Sequence, residues 1–531
     1  MRILHNGPIY TLDPRTPTAT AIAVEQRLDY TGRVVALGDL ETLKQDFPKA
    51  KEDNLGGHVV MPGLTDAHVH LRQYAHMLQA VDCRTPTRAE CLERVATRAA
   101  KTQPGAWILG HGWQQNDWPE GFGTAAQLDT AASHNPVFLT AASLHAAWLN
   151  SAALKVAGVT SETPDPPNGR IDRNLDGSPT GILFEAAIGL ATRAIPEPSP
   201  DENVHAIREA QTNLWNYGLT SVHDFDRAEC FRAVQTMRER GDLKLRILKS
   251  IPVEDLQHAL DIGLRSGFGD DLLRIGGVKV FADGALGPRT AAMFDPYLGE
   301  PQNRGMLFID GEQLLEWGQQ AALGGLSMAV HAIGDRANHE VLNAFVQLRS
   351  FEKAKQLQAR RHRIEHVQVL HPDDLNRLGQ LGVVASMQPI HATSDMKAAD
   401  PYWGERAKYS YGWRTQLEAG AVLAFGSDAP VESPNPWQGI HAAVTRRRAD
   451  GGPGVDGWIP EQRLTLQDAI AGFTTGAAYA AGREGSLGRL APGYLADLVV
   501  LDQDPFKMEP HDLQHVKSLA TMVGGDWVWR V

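Results

Sequence analysis

The chain opens with short apolar runs broken by Gly, Pro and Asp. "MRILHNGPIYTLD", "TAIAVEQ" and "RVVALGD" each have the length and composition of a strand closed by a turn. The far end repeats the pattern in "GRLAPGYLADLVVLDQDPF" and "SLATMVGGDWVWRV". Both ends are β-rich, and chain termini commonly lie close together. Residues 1–60 plus 482–531 are therefore expected to pair as one small domain, flanking a continuous domain at 61–481.

The middle of the chain alternates apolar strand candidates with amphipathic stretches of helix length. The strand candidates are 64–70 (LTDAHVH), 219–224 (LTSVHD), 245–251 (LRILKSI), 275–281 (IGGVKVF), 327–331 (SMAVH), 363–367 (RIEHV), 383–388 (VVASMQ) and 421–427 (AVLAFGS). Helices are expected over 312–323, 338–358 and 372–381. Strands alternating with helices imply a parallel sheet. Eight such units are the count of a (β/α)8 TIM barrel, the α/β fold class expected here. One interval breaks the rhythm. Residues 71–218 hold helices and strands of their own and a loop rich in Pro, Asp and Gly, "TPDPPNGRIDRNLDGSPTG". They are expected to form an insertion after barrel strand one, overhanging the catalytic face as a lid.

Composition narrows the function classes. At 531 residues the chain exceeds what one hydrophobic core serves. Hydrophobic residues (43%) and charged residues (21%) are ordinary for a soluble globular protein. The net charge of −12 and the lack of a basic tract argue against nucleic acid as partner. No window approaches about 18 apolar residues, so no membrane span is expected. The three cysteines, Cys83, Cys91 and Cys230, show no paired spacing. That points to a reducing compartment, and the cytoplasm is the expected location.

Histidine changes the picture. There are 20, and several end the apolar runs. His68 and His70 end the first barrel strand, His223 with Asp224 the second and His331 the fifth. Lys279 lies in the fourth and His366 in the sixth, and Asp428 follows the eighth. Barrel enzymes draw their catalytic residues from these strand ends. Neutral imidazoles with a carboxylate suit a zinc-type ion with one position open to water. The ion lowers the water pKa to give a hydroxide nucleophile, and Asp428 is placed to move the proton. Each residue alone has a plainer explanation. An HxH at a strand end is often two polar loop residues. Asp428 in "GSDAP" has the form of a helix N-cap. Lys279 serves equally as a surface lysine or an ion-pair partner. The conjunction in chain order favours the metal site.

The motifs "MPGLTDAHVHL", "SVHD", "KVFADGALGPRTAAM", "HAIGDRAN", "RIEHVQ", "SMQPIHATSD", "GSDAPVESPNPW" and "LAPGYLADLVVLD" follow one another across the chain. In that order they resemble the amidohydrolase superfamily, and within it the YtcJ-like (amidohydrolase-3) branch, which includes an N-substituted formamide deformylase. The resemblance implies a β-sandwich from the two chain ends. It implies metal ligands at His68, His70, His331 and His366, with Asp428 as ligand and general base. Lys279 matches a strand-four lysine that related enzymes carboxylate with CO2, giving a carbamate that bridges metals. The implied cofactor is Zn2+, one or two ions, with Mn2+ or Fe2+ as alternatives. A homodimer is implied as well. Asp497 in the closing motif is expected to be structural.

Candidates for substrate contact lie in the insertion and after the strands. Trp113, Trp118 and Trp148 stand near His111, His145 and Asn116 in sequence, and aromatics make apolar walls for a pocket. The alternative is that the tryptophans fill the insertion's own core. Relatives often carry an Asp-Gly-His type triplet where this chain has "SLHAAW", so specificity does not transfer across it. His223 and Arg289 are further candidates, Arg289 with Asp295 as an alternative partner. His391 is placed to hydrogen-bond a scissile carbonyl. The expected activity is hydrolysis of a C–N amide-type bond in a small hydrophobic amide, possible formamides included. Alternatives are cyclic amides, esters or lactones, a decarboxylase or isomerase on the same scaffold, and a catalytically silent binding protein.

Overall fold

The computed structural model describes residues 1–114, 118–142, 145–167 and 169–531. It divides into two compact units, one of residues 1–74 and 207–531 and one of residues 75–206. Asn116, Ser143 and Leu144 lie outside the described residues, and with them one candidate contact and the start of "SLHAAW".

The larger unit contains the eight strands expected from the alternation. They are β1 (Leu64–Val69), β2 (Leu219–Asp224), β3 (Arg246–Pro252), β4 (Leu273–Phe281), β5 (Met328–Ala332), β6 (Arg363–His366), β7 (Val384–Met387) and β8 (Leu423–Phe425). They pair in sequence order, and each neighbouring pair is parallel. A parallel bridge between Val69 and Ala429 brings the two edges of the sheet together. Every residue of β1, β2, β5, β6, β7 and β8 is buried. Parallel strands enclosed on both faces read this way, as continuous rather than alternating apolar runs. Helices return the chain between strands, among them Ala228–Arg240, Gly311–Gly324 and Asp335–Ala354. Asp310 caps the second of these by accepting from the Gln313 N–H.

The chain ends form a second sheet in the same unit. Its order is Asp526–Arg530, Ser518–Val523, Leu498–Leu501, Val59–Pro62, Arg2–Tyr10, Thr18–Val24 and Val34–Gly38, and Lys51–Asn54 also pairs with Arg2–Tyr10. The joint between the chain ends is antiparallel, Val59–Pro62 against Leu498–Leu501. Leu4, Ile22, Val60, Leu498 and Met522 fill one core beneath it. Only Gly63 separates this sheet from β1. A Cβ there would meet the Thr220 side chain at 2.4 Å, so the hand-over needs glycine.

Asp497 sits at this hand-over with a structural role. Its carboxylate accepts from the Arg246 Nε and Nη2 at 2.6 and 2.7 Å, and from the Gly524 N–H at 2.8 Å. Arg246 also donates to the carbonyls of Asp271 and Tyr30. Both partners are buried, so the base of β3 is tied to the terminal sheet by a fully desolvated pair.

Residues 75–206 build their own six-stranded sheet, from Gly169–Arg173 through Pro179–Glu185, Ala146–Leu149, Val137–Ala141 and Ile108–Trp113 to Val81–Asp82. Trp113, Trp118 and Trp148 form its core with Cys83, Cys91 and Leu128. Each indole N–H is satisfied internally, by the carbonyls of Leu139, Thr85 and Thr124 respectively. This corrects the expectation that Trp113 and Trp148 contact substrate, because at 1% and 0% exposure neither offers a wall to a ligand. Among the described residues no helix is long and apolar enough to cross a membrane.

Removing one partner of a buried ion pair leaves an uncompensated charge, which costs about 3–5 kcal/mol. Asp497→Leu should lower the urea midpoint accordingly, and the double change Asp497→Leu with Arg246→Met should recover much of the loss. An unchanged midpoint in the single variant would show that the pair does not hold the sheet to the barrel.

Candidate functional site

In β1, positions two apart face the same way. Asp66, His68 and His70 therefore share a direction, and the structure gives each a different task. Asp66 is buried and accepts from the N–H of His68 (3.0 Å), the N–H of Ser427 (3.0 Å) and the hydroxyl of Ser427 (2.5 Å). The Asp428 N–H donates to the His68 carbonyl at 2.7 Å, and the His70 N–H to the Ala429 carbonyl at 2.8 Å. The end of β1 is thus laced to the loop after β8. Gly426 permits the approach, since a Cβ there would lie 2.5 Å from the His68 nitrogen and 2.6 Å from an Asp66 oxygen.

Two imidazoles face Asp428 in the same manner. His68 donates from Nδ1 to Glu365 at 2.6 Å, and its Nε2 stands 3.5 Å from the Asp428 carboxylate. His70 places Nδ1 3.3 Å from Asp226 and Nε2 3.4 Å from Asp428. Asp226 is itself fixed by the N–H groups of Arg72 and Gln73 and by the Gln73 amide. A carboxylate behind Nδ1 puts the proton there and leaves the Nε2 lone pair facing forward, the arrangement of histidines that bind metals.

The spacing fits an ion as well. Two ligands about 2.1 Å from a tetrahedral centre lie about 3.4 Å apart. The His68–Asp428 and His70–Asp428 separations match this, and both are long for a hydrogen bond. Ligand-type atoms of His68, His70 and Asp428 all lie within 4.8 Å of one another, and so do those of His366, His391 and Asp428. The His366 Nδ1, the His391 Nε2 and the Lys279 Nζ are buried without a hydrogen-bond partner. Orphaned buried donors and acceptors gathered at one place fit a site built to hold an ion.

Electrostatics keeps the groups in usable states. Burial pulls the His68 pKa down to about 4 and that of His331 to about 3, so both are neutral near pH 7. Burial also holds His366 well below the usual histidine range. Burial opposes the charge on His70, but its contacts to Asp226 and Asp428 outweigh it and raise the pKa to about 9, so near pH 7 its Nε2 carries a proton that a bound cation would displace. Burial likewise opposes the charge on Asp428, yet the facing imidazoles of His68 and His70 keep its carboxyl well below the usual range. Lys279, enclosed between the rings of Phe225 (4.5 Å) and Phe281 (4.8 Å), is brought by burial down to about 8.

A cavity of about 280 Å3 opens over these groups, lined by His331, His366, His391 and Asp428 together with Asp395 and Glu432. Residues 51–529 match the amidohydrolase family. The chain belongs to that family. It is 36% identical to the Arabidopsis thaliana protein LONG AFTER FAR-RED 3, over 98% of this chain and 90% of that one. It is 32% identical to the putative amidohydrolase YtcJ of Bacillus subtilis, over 99% of each. It is 29% identical to the N-substituted formamide deformylase of Arthrobacter pascens, over 98% and 96%. The crystal structure of a metal-dependent hydrolase from Pyrococcus furiosus aligns with a TM-score of 0.78 at 30% identity, covering 95% of this chain and 100% of that one. The motif resemblance and the fold agree, and the protein is a metal-dependent amidohydrolase.

The other candidate residues of this amidohydrolase lie elsewhere or are otherwise engaged. His331 donates from Nε2 to the Gly284 carbonyl at 2.9 Å, although its ring stands 4.5 Å from that of His366. His223 is 1% exposed and its Nδ1 accepts from Arg363 at 2.9 Å, which points it into the barrel interior rather than toward a ligand. Arg289 is ion-paired with Glu300, not with Asp295. In the 75–206 unit, His111 meets the Thr140 hydroxyl at 2.9 Å, and His145 pairs with Glu185 at 3.0 Å in an exposed position. Sequence reasoning passed over Asp66, Asp226 and Glu365. Asp66 was signalled by its place two residues before His68. Asp226 and Glu365 carry no such local sign, because their partners come from other strands.

The Gly426→Ala change should cost at least about 2 kcal/mol, above the ~1 kcal/mol of an average substitution, since backbone and a buried carboxylate must both move. A thermal midpoint equal to that of the parent enzyme would show that the β1–β8 closure is looser than drawn.

Proposed function

We propose that this amidohydrolase cleaves the C–N bond of a small neutral or amine-bearing amide, N-substituted formamides being the first class to test. The centre would be held by His68, His70, Lys279, His366 and Asp428, with His331 joining through the ring nitrogen that is not bonded to the Gly284 carbonyl. The observation that carries the proposal is the pair of imidazoles backed by Glu365 and Asp226, with both Nε2 atoms at ligand spacing from Asp428. A zinc-type divalent ion bound there would make water a nucleophile at neutral pH and polarise a carbonyl.

The chain's own groups then have defined work. Asp428, ionised and buried, takes the proton of the attacking water and delivers it to the departing nitrogen. His391 faces the cavity and would donate to the carbonyl oxygen as negative charge builds on it. Glu365 and Asp226 keep His68 and His70 in the tautomer that leaves Nε2 free. Lys279 would act first as a neutral amine. Its lone pair would form an N–C bond to carbon dioxide with loss of one proton to solvent, giving a carbamate whose oxygens could serve as ligands. A pKa near 8 and a buried Nζ without a partner support this step.

The cavity supports the substrate class. Leu286, Ile333 and Val431 line it beside the carboxylates Asp395 and Glu432, and among the described lining residues there is no lysine or arginine. A substrate carboxylate would meet like charge with no cation to receive it. The A. pascens relative is a formamide deformylase by name, which makes formamides the natural first probe.

Three measurements test the proposal. Elemental analysis of purified enzyme should find a divalent ion, and Lys279→Ala should lower the metal-to-protein ratio; an unchanged ratio would count against the carbamate. Hydrolysis in 18O-labelled water should place the label in the acid product, and Asp428→Asn should reduce turnover by about 10^2–10^4-fold while the fold is kept. Neutral N-alkyl and N-benzyl formamides should be turned over at least tenfold faster than N-formyl amino acids. The reverse preference would sink the assignment of the substrate class.

A further inference from the structure

The opposite end of the barrel holds a second cavity, of about 310 Å3. It is lined by the early residues of β3 and β4, by Ser327 just before β5, and by Arg363, the first residue of β6. Lys279, His331 and His366 lie toward the other ends of β4, β5 and β6. Four arginines line this cavity, Arg274, Arg360, Arg361 and Arg363, and no acidic residue does among those described. In a chain with a net charge of −12 that is a marked local reversal of sign.

Two of the four are already neutralised. Arg363 pairs with Glu365, and Arg361 with both oxygens of Glu484. Among the described residues Arg274 and Arg360 have no carboxylate partner. Arg274 donates from Nη2 to the Gly267 carbonyl at 2.6 Å, but its Nε is sealed from solvent without a partner. The Arg360 Nε is likewise sealed and unpaired. The nearby carboxylate of Glu352 is taken by Arg349, His362 and the Arg360 backbone N–H. Ser250, 4% exposed, faces the same cavity and its hydroxyl has no hydrogen bond among the described residues. Arg274 and Arg360 are half-buried, and guanidinium groups lining a cavity without a carboxylate partner keep charge and donor capacity for an anion. The partner that matches is a planar or tetrahedral oxyanion.

We infer that this cavity binds a small metabolite through a phosphate or carboxylate group seated between Arg274 and Arg360. The site is distinct from the metal centre and is independent of which bond that centre cleaves. Its volume admits the anionic head and a few carbon atoms.

Isothermal titration calorimetry of the full-length, metal-loaded enzyme tests this, with inorganic phosphate and succinate as separate probes. At least one probe should bind, and Arg274→Gln/Arg360→Gln should weaken it tenfold or more. Tighter phosphate identifies a phosphoester ligand, and tighter succinate a dicarboxylate. Ala359→Glu provides a second variant, because Ala359 is an exposed lining residue and a carboxylate there repels an anion without disturbing the interior. It should produce the same loss even if the double variant folds poorly. Absence of binding by both probes at 10 mM, roughly the weakest binding such a pocket should show, would overturn the inference. So would affinity unchanged in the Ala359→Glu and double variants, which would place the anion at the metal centre instead.

Discussion

The buried carboxylate of Asp66 is the constraint on which the site depends. It gathers two backbone N–H groups and one hydroxyl from the two edges of the barrel sheet. Burial raises its pKa to about 7 even though those hydrogen bonds pull the other way. A group so costly to enclose persists because it sets the register between β1 and the loop after β8. That register fixes the distance from His68 and His70 to Asp428. It also leaves Asp428 with a positive φ of 61°, a conformation that a non-glycine residue holds only when its surroundings dictate it. His366 shows the same at φ 78°. Two residues facing the cavity are therefore held in strained backbone.

The interior below them is polar, and charge pairing makes that tolerable. Arg363 donates to His223, to the Ala67 carbonyl, to Ser386 and to Glu365. Glu365 accepts from His68 and Ser386 and is held well below the usual carboxylate range; burial opposes its charge, but Arg363 and His68 prevail. This network replaces the layers of apolar side chains that usually fill a barrel. Its consequence is directional. Because Glu365 stays ionised, His68 keeps its proton on Nδ1 and offers Nε2 forward. A barrel filled with leucine would hold the same strands but would not set the tautomer of a ligand.

Much of this was legible in the sequence, for physical reasons. Strands enclosed on both faces appear as unbroken apolar runs, so the eight candidates from 64–70 to 421–427 coincide with β1 to β8 within a few residues. The strand ending in "HVH" marked His68 and His70, but not Asp66 two residues earlier, whose partners lie in the loop after β8. What the sequence hid depends on contacts between distant segments. Nothing near Glu365 announces that it backs His68, 297 positions away. The tryptophans of the 75–206 unit looked like pocket walls because aromatic composition is the same in a core and in a cleft. Their indole N–H groups, bonded to carbonyls from other strands, decide for the core. Arg289 took Glu300 over the nearer-looking Asp295 because proximity in sequence says little once a loop folds back.

The same network gives the two ends of the barrel a common member. Arg363 lines the arginine-rich cavity and also neutralises Glu365, which orients His68. Only two side chains stand between that cavity and an imidazole facing Asp428. In a low-dielectric interior charges interact more strongly than in water, and their effects decay slowly. An anion seated between Arg274 and Arg360 would act through space on Arg363, which lines the same cavity and pairs with Glu365. Weakening that pair shifts the balance of charge on Glu365 and hence the strength of its bond to His68. Coupling between distant sites requires a group that both sites bias. Arg363 meets both the cavity and Glu365, so it is the group through which charge at the far end of the strands would reach the metal centre.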